Sequence, residues 1–156
     1  MNKKETIRII KNELKEVVTL MGIDINIESI DNKDFLVFKI IPKEEKDISL
    51  LVGKYGQTLD ALQYLLKIIL IKKLEDNYQL FILDIDNYRQ KREDYLKQVA
   101  QKTAEKVKTT GYSIVLDPLP AFERRIVHLS LADFSGIHTE SIGEGEERRT
   151  VVKLAE

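Results

Sequence analysis

Apolar residues recur at three- and four-residue steps between residues 5 and 21 of this chain. Ile7, Ile10, Leu14, Val17, Val18 and Met21 predict an amphipathic helix that Gly22 ends. The period then falls to two. Ile23, Ile25 and Ile27 alternate with polar neighbours in "IDINIESI", "DNKD" makes a turn, and "FLVFKII" makes a second strand that Pro42 stops. A short helical segment from Asp47 to Val52 leads to Gly53, and helical spacing resumes from Gln57 to about Leu74. There Leu59, Leu62, Leu65, Leu66, Ile68, Ile69, Leu70 and Ile71 cover more than one stripe, so this helix is expected to be buried on more than one side. "YQLFILDI" follows as a buried strand.

A second long helix is expected from about Asn87 to Thr110, set by Tyr88, Arg92, Tyr95, Val99, Thr103 and Val107 and stopped by Gly111. At 1.5 Å per residue it would extend about 36 Å. Beyond it the pattern predicts a strand at "YSIVL", a turn at "DPLP" with Pro120 suited to a helix start, and a helix from about Ala121 to Ala132. A hairpin of "GIHTESI" and "RRTVVKL", joined by "GEGEE", completes the chain. The fold class is therefore α+β: two small domains, residues 1–85 and 86–156, each a three-stranded sheet packed with helices, joined by a long helix.

Composition narrows the chemistry. The 156 residues contain no cysteine, which excludes disulfides, thiolate metal sites and cysteine nucleophiles, and makes the cytoplasm the expected location. The most apolar run, "LQYLLKIILI", contains Lys67 and falls short of the roughly 20 residues that cross a bilayer; no export signal is evident at the N-terminus, and no membrane insertion is expected. Lys plus Arg number 25 against 26 Asp plus Glu. Without a surplus of positive charge, a nucleic acid must be held by local geometry and a few well-placed cations.

Two stretches supply such geometry. In "LLVGKYGQTL", Gly53 and Gly56 flank Lys54 and Tyr55 at the start of the long helix. Glycines let a phosphodiester approach the main chain, the helix presents unpaired N–H groups, and Lys54 adds a charge. Leu51, Val52 and Leu59, with Leu62, are expected to form an apolar groove wall beside it. A plain helix-turn-helix corner fits the same tetrapeptide. In "FERRIVHLSL", Phe122, Ile126 and Leu129 are expected to face the core, leaving Arg124 and His128 on a shared outward face with Arg125 to one side. A guanidinium fork and an imidazole one turn apart suit phosphate oxygens or a base, and a solvated helix face suits the same residues.

The context of each stretch carries a resemblance. Val-Gly-x-x-Gly placed after helix-strand-strand and before helix-strand resembles a type II KH domain, whose loop clamps a short single strand of about four nucleotides. Tyr55 stands at a loop position that is often basic in such domains. Arg-x-x-x-His on a helix, followed by a hairpin carrying Arg148 and Arg149, resembles the R-3-H domain, which binds single-stranded nucleic acid. The two in tandem, with "DIDNYR", "ERRIVHLSL" and "TESIGEGEERR" in this order, closely resemble the bacterial Jag family, also called KhpB or EloR, across essentially the whole sequence. That family's usual N-terminal Jag-N domain is not in this sequence, as in a truncated chain or a shorter member. The resemblance implies cytoplasmic binding of single-stranded RNA, or of single-stranded DNA, with roles in cell elongation, division and envelope control. It also implies partnership with a small KH protein or a homodimer. Leu62, Leu66 and Ile69 are the expected contact face, with packing inside the chain as the equal alternative.

No cofactor, metal or catalytic set is expected. Asp84 and Asp86 would share a strand face but lack further ligands, and Asp86 fits better as a helix cap. His128 and His138 lie on different elements, "GEGEE" repels phosphate, and no Ser-His-Asp arrangement can be inferred. Two functions of different class remain: a non-catalytic RNA-binding protein, and an interaction adaptor whose KH fold mainly dimerises.

Overall fold

Asn2 opens the first helix by accepting the Glu5 N–H on its side-chain oxygen at 2.9 Å. Helix α1 (Lys3–Leu20) then buries Thr6, Ile10, Leu14 and Val18 at four-residue steps. The structure is a computed structural model and describes residues 2–32, 34–74 and 79–155. Lys33 of the expected turn and Tyr78 of the expected third strand lie outside the described residues. Strands β1 (Ile25–Asp31) and β2 (Leu36–Pro42) pair antiparallel, and β2 pairs in parallel with β3 (Phe81–Ile85), in the order β1-β2-β3. A parallel pair needs a crossover. Helix α2 (Lys46–Val52), a 3-10 turn (Lys54–Gly56) and helix α3 (Gln57–Leu74) lie along it.

Leu36, Phe38 and Ile40 of β2 and Phe81, Leu83 and Ile85 of β3 join Ile10, Leu14 and Val18 of α1 in one core. Phe38 and Phe81 meet edge to face at 6.2 Å. Gln63 of α3 accepts the Leu83 N–H at 2.9 Å, tying the helix to an edge strand of the sheet. β3 stops at Ile85, and Asp86 and Asn87 turn the chain with φ of 51° and 54°. Asp84 and Asp86 therefore do not share a strand face.

Helix α3 buries one stripe, Leu59, Leu62, Leu66, Leu70 and Leu74, and leaves Tyr64, Leu65, Ile68 and Ile71 between 41% and 65% exposed. This corrects two of the three residues expected on a contact face. Leu62 and Leu66 belong to the core, at 5% and 0% exposure, because they continue the stripe that meets the sheet; Ile69 is half-buried.

Helix α4 (Tyr88–Thr110) contains the boundary between two compact units, Met1–Arg89 and Gln90–Glu156. It buries Leu96, Ala100, Ala104 and Val107, a stripe one residue removed from the expected Tyr95, Val99 and Thr103. The second unit has strands β4 (Ile114–Pro118), β5 (Ile137–Ile142) and β6 (Arg149–Leu154) in the order β4-β6-β5, all antiparallel, with helix α5 (Ala121–Leu131) packed on the sheet.

The rotation of α5 differs from expectation. Glu123, Val127 and Leu131 point inward, whereas Phe122 and Leu129 are 72% and 65% exposed and Ile126 is half-buried. The physical cause is an ion pair: Arg92 donates from Nε and Nη2 to the two oxygens of Glu123 at 2.8 and 2.9 Å, so the carboxylate can be buried. Among the described residues no helix is long and apolar enough to cross a membrane.

The two faces of α3 make a testable contrast. Leu66→Ala should destabilise the first unit by about 3 kcal/mol, as a cavity in a packed core does, and Leu65→Ala by less than about 1 kcal/mol. Urea unfolding followed through the amide NMR signals of α3 measures both; equal effects would show that the stripe is misassigned.

Candidate nucleic-acid interface

The GKYG corner is tighter than a simple turn. Gly53 has φ 70° and ψ −178°, Gly56 has φ 80°, and Tyr55, with a full side chain, sits in the left-handed region at φ 55°, ψ 24°. A side-chain carbon on Gly53 would lie 2.1 Å from Thr58 Oγ1, and one on Gly56 would lie 2.8 Å from the Tyr88 ring. Both positions therefore require glycine on two grounds, backbone angle and space. Gly53 N–H donates to Ser49 O and Gly56 N–H to Gly53 O. The N–H of Lys54 precedes the first hydrogen bond of the 3-10 turn, Gly56 N–H to Gly53 O, as the first donors of a helix do.

Lys54 is exposed, with its ammonium 5.3 Å from the centre of the Tyr55 ring. Asp60, in the first turn of α3, would oppose a phosphate here, but Arg89 Nη2 donates to its Oδ1 at 2.8 Å. Arg89, the last residue of "DIDNYR", was not singled out by sequence reasoning; only the fold brings it to Asp60. The expected groove wall is corrected: Leu51, Val52 and Leu59 are 0%, 6% and 0% exposed and lie in the core of their unit. As apolar residues flanking a tight corner they anchor it from below, and Leu50, 58% exposed, is the apolar neighbour at the surface.

In the second unit, Arg124 and His128 are not on an outward face. Once Glu123 turns in, both residues lie on the flank of α5 beside the sheet. Arg124 Nη1 donates to Leu119 O at 2.6 Å, and Leu119 N–H donates to Arg148 O. That shared residue brings Arg124 near the start of β6, where Arg149 pairs across the ladder with Pro118. Arg149 is held by Glu147, through Nη2 to the carboxylate at 2.8 Å and Nε to the main-chain oxygen. Arg125 and Arg148 are exposed, and among the described residues no ion pair engages either.

His128 spans two hydroxyls of β5, with Nδ1 2.7 Å from Thr139 Oγ1 and Nε2 2.9 Å from Ser141 Oγ. A neutral imidazole donates from one nitrogen and accepts at the other, and hydroxyls can answer either role. Burial, then the charge of Arg124, then His138, lower the His128 pKa from its usual 6.5. The ring is therefore neutral at pH 7 and braces α5 against β5. Arginine supplies the charge of this edge. Among the described residues no group of three or more His, Asp or Glu could hold a metal ion.

The sign of the pH effect follows. Because the folded-state pKa of His128 lies below the unfolded one, its contribution to stability is complete above about pH 6.5 and is lost as the pH falls through the folded value. We expect the His128 NMR titration midpoint below 6.5 and a second unit that melts at lower temperature at pH 5 than at pH 7. His128→Gln should flatten that difference. A midpoint at or above 6.5 would contradict the brace.

Residues 94–154 match the R-3-H domain family. A protein of Clostridium symbiosum named RNA-binding protein KhpB is 35% identical over 134 residues, which cover 86% of this chain and 59% of the relative. Proteins of the same name from Bacillus subtilis and Lactiplantibacillus plantarum are 42% and 38% identical, each match covering 67% of this chain and 50% and 32% of the relative. The chain thus spans about half the length of the Clostridium and Bacillus relatives, and less of the third. With an R-3-H domain in its second unit and KhpB proteins as relatives along most of its length, the chain belongs to the bacterial Jag family, also called KhpB.

Proposed function

We propose that this protein binds single-stranded RNA without catalysing a reaction, through two separate grips on the phosphate backbone. One is the main chain of Gly53 to Gly56 with Lys54. The other is the arginine edge of Arg124, Arg125, Arg148 and Arg149. The observation that carries this reading is the fate of the nearest acids. Asp60 beside the glycine corner is paired by Arg89, and Glu123 beside Arg124 is paired by Arg92; Glu147 holds Arg149, which leaves Lys54 at one grip and Arg124, Arg125 and Arg148 at the other as the local positive field in a chain of net charge −1. The names of the relatives and the R-3-H match support the same reading. Cytoplasmic location and a role in cell elongation, division and envelope control are proposed on the family resemblance alone.

With Arg149 held by Glu147, the four other cations and the main chain of the glycine corner make a shallow electrostatic grip. Binding of a 12-nucleotide single-stranded RNA, followed by fluorescence anisotropy, should weaken with salt at a log-log slope of about −3, since each neutralised phosphate of a single strand contributes about −0.7. Lys54→Asp and Arg124→Ala should each weaken binding about tenfold, independently of one another. Absence of wild-type binding at low salt would overturn the proposal in favour of an adaptor.

The exposed stripe Tyr64, Leu65, Ile68 and Ile71 on α3 favours a second, compatible role, association through the first unit with another copy or with a small KH protein. Light scattering should report a dimer that Ile68→Asp converts to a monomer. A monomeric wild type would dispose of self-association.

A further inference from the structure

We propose that the outward face of α5, formed by Phe122, Arg125 and Leu129, is a stacking platform for unpaired bases. It rests on the reading of the second unit as a grip on single-stranded nucleic acid and adds where the bases lie. Phe122 and Leu129 are 72% and 65% exposed although they are large and apolar, and Arg125 between them is exposed as well. At 100° per residue, positions 122 and 129 fall within about 20° of each other, and 125 lies one turn from each. The three make one strip about 10 Å long, the rise of three nucleotides stacked at about 3.4 Å.

Chemistry decides the occupant. A nucleobase has apolar faces and polar edges, and a phenyl ring and a guanidinium plane are the side-chain surfaces on which it stacks, whatever its sequence. The strip carries no acid: Glu123 is turned inward and held by Arg92. Arg124 lies on the adjoining flank, linked through Leu119 to Arg148, so a strand whose bases lie on the strip has cations within reach of its phosphates. A second copy of this chain fits less well, because a two-fold contact centred on the strip would set Arg125 against Arg125.

The chain contains no tryptophan, so Phe122→Trp installs a single selectively excited fluorophore on the strip. In the full chain, its emission should be quenched by single-stranded RNA and unchanged by an abasic backbone of equal length. Phe122→Ala should weaken binding of the base-bearing strand about tenfold, leave the abasic strand unaffected, and preserve the melting temperature, since the side chain is exposed. If Arg124→Ala weakens RNA binding while Phe122→Ala does not and Phe122→Trp is not quenched, the platform is wrong and the phosphate grip stands. If wild type binds neither strand, both fall. Should Phe122→Ala instead change the oligomeric state with RNA affinity intact, the strip is a protein contact and the proposal is overturned.

Discussion

A carboxylate that is 4% exposed must be paired, and in the second unit that requirement governs how α5 sits. Arg92 reaches Glu123 with two parallel hydrogen bonds, which satisfies both oxygens and fixes the helix in rotation as well as position. With Glu123 inward, Val127 and Leu131 follow it into the core one and two turns later. Arg124 and His128 then fall on the flank, where the backbone of Leu119 and the hydroxyls of β5 receive them. Phe122, Arg125 and Leu129 face solvent for the same reason. Removing Arg92 would leave a buried charge without a partner, a larger perturbation than losing one surface contact.

The first unit solves a related problem with main chain. Its loop has one lysine, and a phosphate site with one lysine needs amide donors held in place before the ligand arrives. Close packing holds them: Thr58 fills the space beside Gly53, the Tyr88 ring fills the space beside Gly56, and Leu51, Val52 and Leu59 lie beneath in the core. Tyr55 takes a left-handed conformation that side chains disfavour, which is tolerable only where neighbouring residues impose it. Arg89 pairs Asp60 in the first unit and Arg92 pairs Glu123 in the second, so neither acid is left to oppose the grip proposed beside it.

Much of this was legible in the sequence, because helix periods, strand alternation and glycine punctuation are local signals. The order of helices and strands, the GKYG corner and the closing hairpin all follow from them. The rotation of α5 was not legible. A wheel ranks Phe122, Ile126 and Leu129 as the apolar face, and only a cation 31 residues upstream makes a glutamate the better core residue. The groove wall failed for a similar reason: Leu51, Val52 and Leu59 are apolar next to a loop, and apolarity cannot distinguish lining a surface from anchoring it. On α3 the excess of apolar residues was visible, but the choice of Leu62 and Leu66 for the outside required knowing which stripe the sheet takes.

Amide chemical-shift mapping puts the central claim to its most direct test, because it reports each main-chain group separately. On titrating the full chain with a short single-stranded RNA, the amides of residues 53–57 and those of residues 121–125 and 148–149 should move together, while those of β1 and of α1 stay in place. Shifts confined to α3 and absent from the glycine corner and the arginine edge would contradict it.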